Sequence, residues 1–213
     1  MRQSKQILAD YYAVVYLFDC VNGVSSIDGN LKIQKLLFLH EFEGIRGGLK
    51  SNHYKYFRHN QGPYSKDLAN DVASLEKIGL VNRASRKLTK RGKIFLEYFR
   101  PEVDRIIGVT LHIAEDVCRE FGRLSGPQLV NHVYRMRVPV YDFGGVEATV
   151  RDIPSFTDIF DPLHDQSTKE LDTLDEVTIK QMEEQLAITP EQLDSSNVGF
   201  KQAVNERLER AFS

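Results

Sequence analysis

Residues 55–68, with the sequence KYFRHNQGPYSKDL, constrain the fold of this chain more than any other stretch. A short aromatic and basic segment of β-forming residues leads into Gly62-Pro63, a pair that predicts a turn. Ser65 follows as a candidate helix N-cap, and Asp67 suits the positive end of the new helix. Apolar residues then recur on one helical face until Gly79 ends the pattern. This order is typical of a winged-helix module, so the sequence predicts a recognition module rather than an enzyme.

The rest of the chain predicts a mainly α-helical fold with a small β-hairpin. Helical periodicity indicates helices near residues 4–21, 30–42, 65–78, 89–99, 101–121 and 125–134. Pro101 is expected to open or kink the fifth of them. Residues 53–58 predict an extended segment, and residues 80–83 and 86–88 predict a paired wing. Residues 139–145 predict irregular structure at the end of the compact body.

Charge divides the chain into two parts. The net charge is only −2, but residues 152–213 carry 14 acidic and 5 basic side chains, which leaves residues 1–151 with a net charge of +7. Such an asymmetry is typical of interaction proteins. We therefore expect a winged-helix-like helical domain over residues 1–150. An acidic tail over residues 151–213 follows, with amphipathic helices at 177–186 and 198–212.

The composition also predicts the compartment. No apolar run approaches the roughly 18 residues that a membrane span needs, and the first residues do not resemble a signal peptide. Cys20 and Cys118 are the only cysteines, and each lies within an apolar helical pattern. This predicts two buried free thiols, which reducing compartments maintain. We expect a cytoplasmic protein that does not associate with membranes.

The motifs favour no catalytic function. The chain has no G-x-S-x-G, P-loop, G-x-G-x-x-G or H-E-x-x-H sequence. None of its six histidines pairs with another histidine or a cysteine at the spacing of metal ligands. Adjacent carboxylates such as Glu41 and Glu43 do not face each other on a helix. We expect no catalytic residue, no metal and no cofactor.

Two sets of side chains are candidate binding residues. The set for a protein partner surrounds the Gly62-Pro63 pair, where tyrosine and arginine are common interface anchors: Tyr54, Tyr56, Arg58, His59, Gln61 and Tyr64. Packing of the tyrosines in the core is the alternative. The set for nucleic acid lies at the start of the third helix and in and after the wing, where basic groups can contact phosphates: Lys66, Arg83, Arg86, Lys87, Lys90 and Arg91. Acidic residues in the third helix count against base recognition.

Four blocks of this sequence resemble the Panacea (SocA-like) antitoxin domain and the related YwgA-like proteins. They are LKIQKLLFL at 31–39, GPYS at 62–65 with GLV at 79–81, LTKRG at 88–92 and SGPQL at 125–129, and they cover about residues 5–141. The resemblance implies a mostly helical fold and the neutralisation of a toxin by direct protein–protein contact. The chain departs from the family pattern in having no Trp, and its ending is closer to the YwgA-like branch.

We therefore expect an antitoxin-like binding module whose partner is a protein toxin from a neighbouring gene, in a toxin–antitoxin system with phage defence as its setting. The alternative is a winged-helix transcriptional regulator that binds operator DNA and represses its own operon. A proteolytic adaptor, which the same resemblance implies, is a further alternative. The sequence leaves open whether the protein forms a homodimer.

Overall fold

The computed structural model describes residues 2–25, 27, 29–82, 84–160 and 174–186. These residues are mainly helical with small antiparallel strand pairs, which confirms the predicted fold class. The helices are α1 (Ser4–Asn22), α2 (Asn30–Arg46), α3 (Lys66–Lys77), α4 (Lys90–Phe121), α5 (Gly126–Val133) and α6 (Glu176–Leu186). The strands are β1 (Phe57–His59), β2 (Gly62–Tyr64), β3 (Val81–Asn82), β4 (Lys87–Leu88), β5 (Arg137–Val140) and β6 (Val146–Thr149). None of the helices within these ranges has the length and apolarity needed to span a membrane.

Helix α2 lies at the centre of the core. Its residues Ile33, Leu36, Leu37 and Phe38 are at most 1% exposed. It contacts α3, α4, α5 and β2, and α1 also packs along α4. Burial of apolar side chains on several sides of one helix explains why its sequence is apolar around most of its girth.

Side-chain caps start three of the helices, and the cap predicted at Ser65 is one of them. Ser65 Oγ accepts a hydrogen bond from the Leu68 amide at 3.3 Å at the start of α3. Thr89 Oγ1 accepts from the Gly92 amide at 3.0 Å at the start of α4. Ser125 forms a capping box at the start of α5. Each cap satisfies an amide that the first helical turn leaves without a partner.

The kink predicted at Pro101 lies instead at Ile107. Helix α4 runs through Pro101, and Ile107 has the non-helical angles φ −120° and ψ 20°. Two side chains bind carbonyls next to the kink: Thr110 Oγ1 donates to the Ile107 oxygen at 2.8 Å, and His40 Nε2 donates to the Thr110 oxygen at 2.9 Å. Burial lowers the pKa of His40 to about 4, so its ring is a neutral donor at neutral pH.

The turn predicted at Gly62-Pro63 is wrong by two residues. Asn60 and Gln61 form the turn, and Gly62-Pro63 belong to β2, where His59 pairs with Gly62 and Arg58 with Pro63. Gly62 has a φ of +89°, a value that favours glycine. The Gly62-Pro63 sequence therefore serves the strand that follows the turn, which approaches α2 closely.

The irregular segment predicted at 139–145 is also wrong, because β5 pairs with β6 across a short 3-10 turn at Tyr141–Phe143. The core then continues past residue 150, with Ile153, Ile159, Phe160, Leu174 and Met182 buried in it. Helix α6 corresponds to the first predicted tail helix. The second, at 198–212, lies outside the described residues.

Candidate protein-binding site

Two of the predicted partner-binding tyrosines are core residues. Tyr54 is 4% exposed and Tyr56 is 1% exposed. The Tyr54 hydroxyl donates to Asp71 Oδ2 at 2.9 Å, and the Tyr56 ring packs edge-on against Phe38 with a centroid separation of 5.5 Å. Burial raises the pKa of both phenols well above the usual value, so both stay neutral donors. In this conformation neither tyrosine can contact a partner, and the core-packing alternative holds for both.

The opposite face of the same segment carries an aromatic patch, which we define as Phe57, His59, Tyr64 and Phe156. Phe57 lies 5.6 Å from Tyr64 and 6.2 Å from Phe156, measured between ring centroids. His59 lies 5.4 Å from Tyr64 and 6.0 Å from Phe156. These separations are those of interacting aromatic pairs. The structure thus brings together His59 and Tyr64, two of the predicted partner-binding residues, and places two further rings beside them.

Phe156 is the most exposed member of the aromatic patch, at 72%. Its φ of +66° lies in the left-handed region, which costs a non-glycine residue on the order of 1 kcal/mol. Its amide donates to the Arg58 oxygen at 2.7 Å, and the Arg58 amide donates to the Thr157 oxygen at 2.9 Å. The backbone therefore holds a large apolar ring in solvent in an unfavourable conformation.

Arg58 is bound within the fold rather than free at the surface. Its Nε donates to the Val150 oxygen at 3.0 Å, and its guanidinium carbon lies 4.9 Å from the centroid of the Tyr134 ring. Its Nη1 is buried and has no hydrogen-bond partner among the described residues. Arg58 thus holds the hairpin against the β5–β6 region, and one of its donors remains unused.

A cleft of about 200 Å³ opens beside the aromatic patch, between the start of α2 and the β1–β2 hairpin. Its lining consists of Asn30, Leu31, Gln34, Lys35, His59, Gln61, Gly62 and Tyr64, so two residues belong to both the cleft and the patch. Gln61 was a predicted partner-binding residue, and it is exposed at the rim. Sequence reasoning did not single out Lys35.

Lys35 is the only buried cation of this cleft, at 2% exposure. Its Nζ donates to the Pro63 oxygen at 2.6 Å. Burial, and then repulsion from Arg58, lower the pKa of its ammonium group to about 7. The next residue towards the helix start, Gln34, makes two reciprocal 2.9 Å hydrogen bonds with the backbone of Ser65. Helix α2 therefore fixes the position of the hairpin.

The predicted nucleic-acid residues do not form one free basic surface. Lys66, Lys87 and Lys90 are exposed, whereas Arg83 lies outside the described residues. Arg86 Nη1 pairs with Glu76 Oε1 at 3.0 Å and also donates to Asn30 Oδ1 at 2.8 Å. Arg91 donates to the Ile78 oxygen at 2.7 Å and to the Gln185 oxygen of α6 at 3.1 Å. Both guanidinium groups are thus used inside the fold, which leaves fewer donors for phosphates.

Two residues of the aromatic patch, Phe57 and Phe156, were not among the predicted partner-binding residues, and only the first of them could be placed from the sequence. Phe57 lies between the buried Tyr56 and Arg58, and strand alternation puts it on the face opposite Tyr54 and Tyr56. Phe156 is 99 positions further along the chain, and only the backbone pairing with β1 brings it to the hairpin. No local pattern predicts that pairing.

Comparison with known proteins adds no assignment, because no family model, no curated protein and no solved structure matches this chain. The resemblance to the Panacea (SocA-like) domain therefore stays a prediction. Within the described residues, no group of three or more histidine, cysteine, aspartate or glutamate side chains is arranged to hold a metal ion.

Proposed function

We propose that this protein is a protein-binding module that docks a partner on the aromatic patch. The observation that carries this proposal is Phe156, an aromatic ring held 72% exposed at a φ of +66°. Folding alone gains little from such a ring, because it is hardly buried and its backbone is unfavourable. A partner that covers the ring would bury the apolar area that folding leaves exposed.

The surroundings of Phe156 support the same role. Phe57, His59 and Tyr64 supply flat aromatic surface with few rotatable bonds, and such residues are enriched where binding energy concentrates. The patch is anchored by backbone hydrogen bonds to β1, so a partner does not have to order it. A preordered surface loses less conformational entropy on binding.

We propose a toxin from a neighbouring gene as the partner, which this protein would neutralise by direct contact in the cytoplasm. The sequence blocks that resemble the antitoxin domain support the choice of partner, and the GPYS block itself supplies Tyr64 of the patch. The two cysteines, Cys20 and Cys118, are free thiols, as a reducing compartment maintains them.

Co-expression with the product of the adjacent gene tests the proposal. We expect that product to stop growth when expressed alone and to be harmless beside this protein. The toxin assignment fails if the product is harmless alone, or if growth still stops when this protein is present. A purified pair should co-elute as a complex in size-exclusion chromatography.

Phe156→Asn separates binding from folding. Asparagine tolerates the left-handed conformation better than phenylalanine, so the free energy of unfolding should be unchanged or rise by up to about 1 kcal/mol. Binding should weaken by about 2 kcal/mol, or roughly thirtyfold in Kd, if the ring is an anchor. Val109→Ala, at a 61% exposed apolar position of α4, is the control and should retain full affinity. Full protection by the Phe156 variant would reject the aromatic patch as the docking surface.

A further inference from the structure

The cleft beside the aromatic patch has a charge that the fold leaves without compensation. Lys35 is buried, and no acidic side chain of the described residues pairs with it. Its one hydrogen bond, to the Pro63 oxygen, requires a single N–H group and no charge. Burying an ammonium group is costly, and a neutral donor of similar length would make the same hydrogen bond without that cost. Burial and repulsion from Arg58 bring the pKa of this group to about 7, so the free protein carries the charge only in part at neutral pH, and stability does not explain a lysine at this position.

A second unused donor lies close to this lysine. Arg58 repels Lys35, and the two are adjacent through Pro63, which pairs with Arg58 in the hairpin and accepts the hydrogen bond of Lys35. The Nη1 atom of Arg58 is buried without a partner among the described residues. Arg58 does not line the cleft, but its positive charge acts on Lys35 and adds to the positive potential there, which favours an anion.

The lining of the cleft fits an anion as well. None of its eight residues is acidic, and His59, Gln61, Asn30 and Tyr64 carry groups that can donate hydrogen bonds. It also lies at the start of α2, where the N-cap is Gly29 and no side chain of the described residues caps the first turn. The amide groups of that turn favour negative charge nearby.

We propose that this cleft binds a carboxylate side chain, aspartate or glutamate, of the protein that docks on the aromatic patch, with Lys35 as its charge partner. This inference rests on the proposed function, because it names the chemistry of the same partner. His59 and Tyr64 line both surfaces, so an acidic residue would enter the cleft beside the residues that cover the rings.

The size of the cleft is the reason for choosing a side chain over a larger ligand. About 200 Å³ is below the roughly 300–1,000 Å³ of sites that enclose a drug-sized molecule or a cofactor. A carboxylate bound there would also hold Lys35 protonated, since an opposite charge favours the charged form. Binding would then pair the buried ammonium group of Lys35 with a negative charge that the partner supplies.

A capped amino acid provides a probe for this site. We propose to titrate the full-length, ¹⁵N-labelled protein with N-acetyl-glutamate methylamide and to follow its amide resonances. The amides of His59, Gln61 and Gly62 should shift together and saturate, with a Kd on the order of millimolar, as expected for so small a ligand. N-acetyl-glutamine methylamide, which has the same shape and no charge, should produce no saturable shift.

Two variants assign the charge. Lys35→Met removes the ammonium group and keeps the length of the side chain, and Lys35→Gln keeps a donor for the Pro63 oxygen. Both should lose binding of the capped glutamate, by at least tenfold in Kd, while their spectra stay dispersed. Lys66→Met removes an exposed positive charge at the start of α3 and should bind as the original protein does.

The outcomes distinguish this inference from the proposed function. If the capped glutamate does not bind, or binds the Lys35 variants equally well, the carboxylate site is wrong, and the Phe156→Asn result still decides the patch. If inorganic phosphate shifts the same amides at a lower concentration, the carboxylate is the wrong ligand class. If the capped glutamate binds but co-expression finds no partner, the anion site holds and the partner assignment fails.

Discussion

Replacement of Arg2 with methionine tests the buried ion network that joins α1, α3 and the segment before β1. Arg2 Nη1 lies 2.7 Å from Asp10 Oδ2 and 2.7 Å from Asp71 Oδ2, and Nη2 lies 3.0 Å from Asp71 Oδ1. The side chains of Asp10 and Asp71 are only 1% and 7% exposed. Methionine keeps most of the apolar contact and removes the positive charge. The carboxylates of Asp10 and Asp71 then stay buried without the guanidinium group that neutralises both of them.

The magnitude follows from what the two carboxylates keep. Asp10 still accepts the amide of His53 at 2.9 Å, and Asp71 still accepts the hydroxyl of Tyr54 at 2.9 Å. Neither acid is therefore entirely without partners, but loss of one member of a buried ion pair typically costs about 3–5 kcal/mol. We expect Arg2→Met to lower the free energy of unfolding by about 4 kcal/mol, a large part of the roughly 5–15 kcal/mol of a typical domain.

The pH dependence of this loss has a defined sign. Burial raises the pKa of Asp71 even though Arg2 opposes the rise. Without Arg2 the folded-state pKa of Asp71 rises further, so the folded protein keeps a proton that the unfolded chain releases. A raised folded-state pKa gives stability that is present at low pH and lost as the pH rises. The deficit of the Arg2 variant should therefore shrink as the pH falls towards about 4.

Urea unfolding followed by far-UV circular dichroism measures the effect, since the chain has no tryptophan for fluorescence. Arg105→Met is the matched control, because the Arg105–Glu102 ion pair is exposed and water screens such pairs, so its loss should change stability very little. Adding Asp71→Asn to the Arg2 variant should recover about 2 kcal/mol, because one of the two buried charges is removed. A loss no larger than that of the control would refute the reasoning.

Two further substitutions test other buried features. Glu41 accepts two backbone amides at 2.9 and 2.7 Å, and burial raises its pKa from 4.5 to about 8. The stability that its protonated form contributes is therefore lost as the pH rises from about 4.5 to about 8, with a slope of up to about 1.4 kcal/mol per pH unit. Glu41→Gln should remove this slope from the plot of unfolding free energy against pH. Gly92→Ala would put a Cβ atom 2.2 Å from the Leu80 oxygen and should lower the free energy of unfolding by about 1–3 kcal/mol. Gly108→Ala, on the same helix with no atom within 4 Å of its new Cβ, should raise the free energy of unfolding by up to about 1 kcal/mol. Thermal unfolding that ranks the two variants in the reverse order would contradict this packing.

The sequence is sufficient to predict those features of the fold that depend only on neighbouring residues. The predicted cap at Ser65 is present, and Thr89 and Ser125 cap α4 and α5 in the same way from the position just before each helix. It was insufficient where pairing partners are far apart. Gly62-Pro63 read as a turn because the local preference of both residues is for turns, yet strand pairing with β1 moved the turn to Asn60 and Gln61.

The candidate site shows the same limit more strongly. Tyr54 and Tyr56 were candidate interface residues because tyrosine suits both interfaces and cores, and only burial separates the two roles. The structure buries them and exposes Phe156 instead, a residue in the part of the chain expected to be an acidic tail. Charge composition averaged over that part does not reveal the short segment, residues 156–159, that pairs with β1 and the residue before it.

Gly62 links the aromatic patch and the cleft physically. A Cβ atom at this position would lie 3.3 Å from the Tyr134 ring and 3.6 Å from Lys35 Cε, so the glycine allows the strand to pass between them. That close approach brings the Pro63 oxygen to Lys35 and orients Tyr64 towards the patch. Helix α2 therefore positions the aromatic patch through strand β2: its buried Lys35 binds the oxygen of Pro63, and the next residue, Tyr64, packs in the patch. A surface held in this way is preordered, as the proposed docking of one complementary protein on the aromatic patch requires.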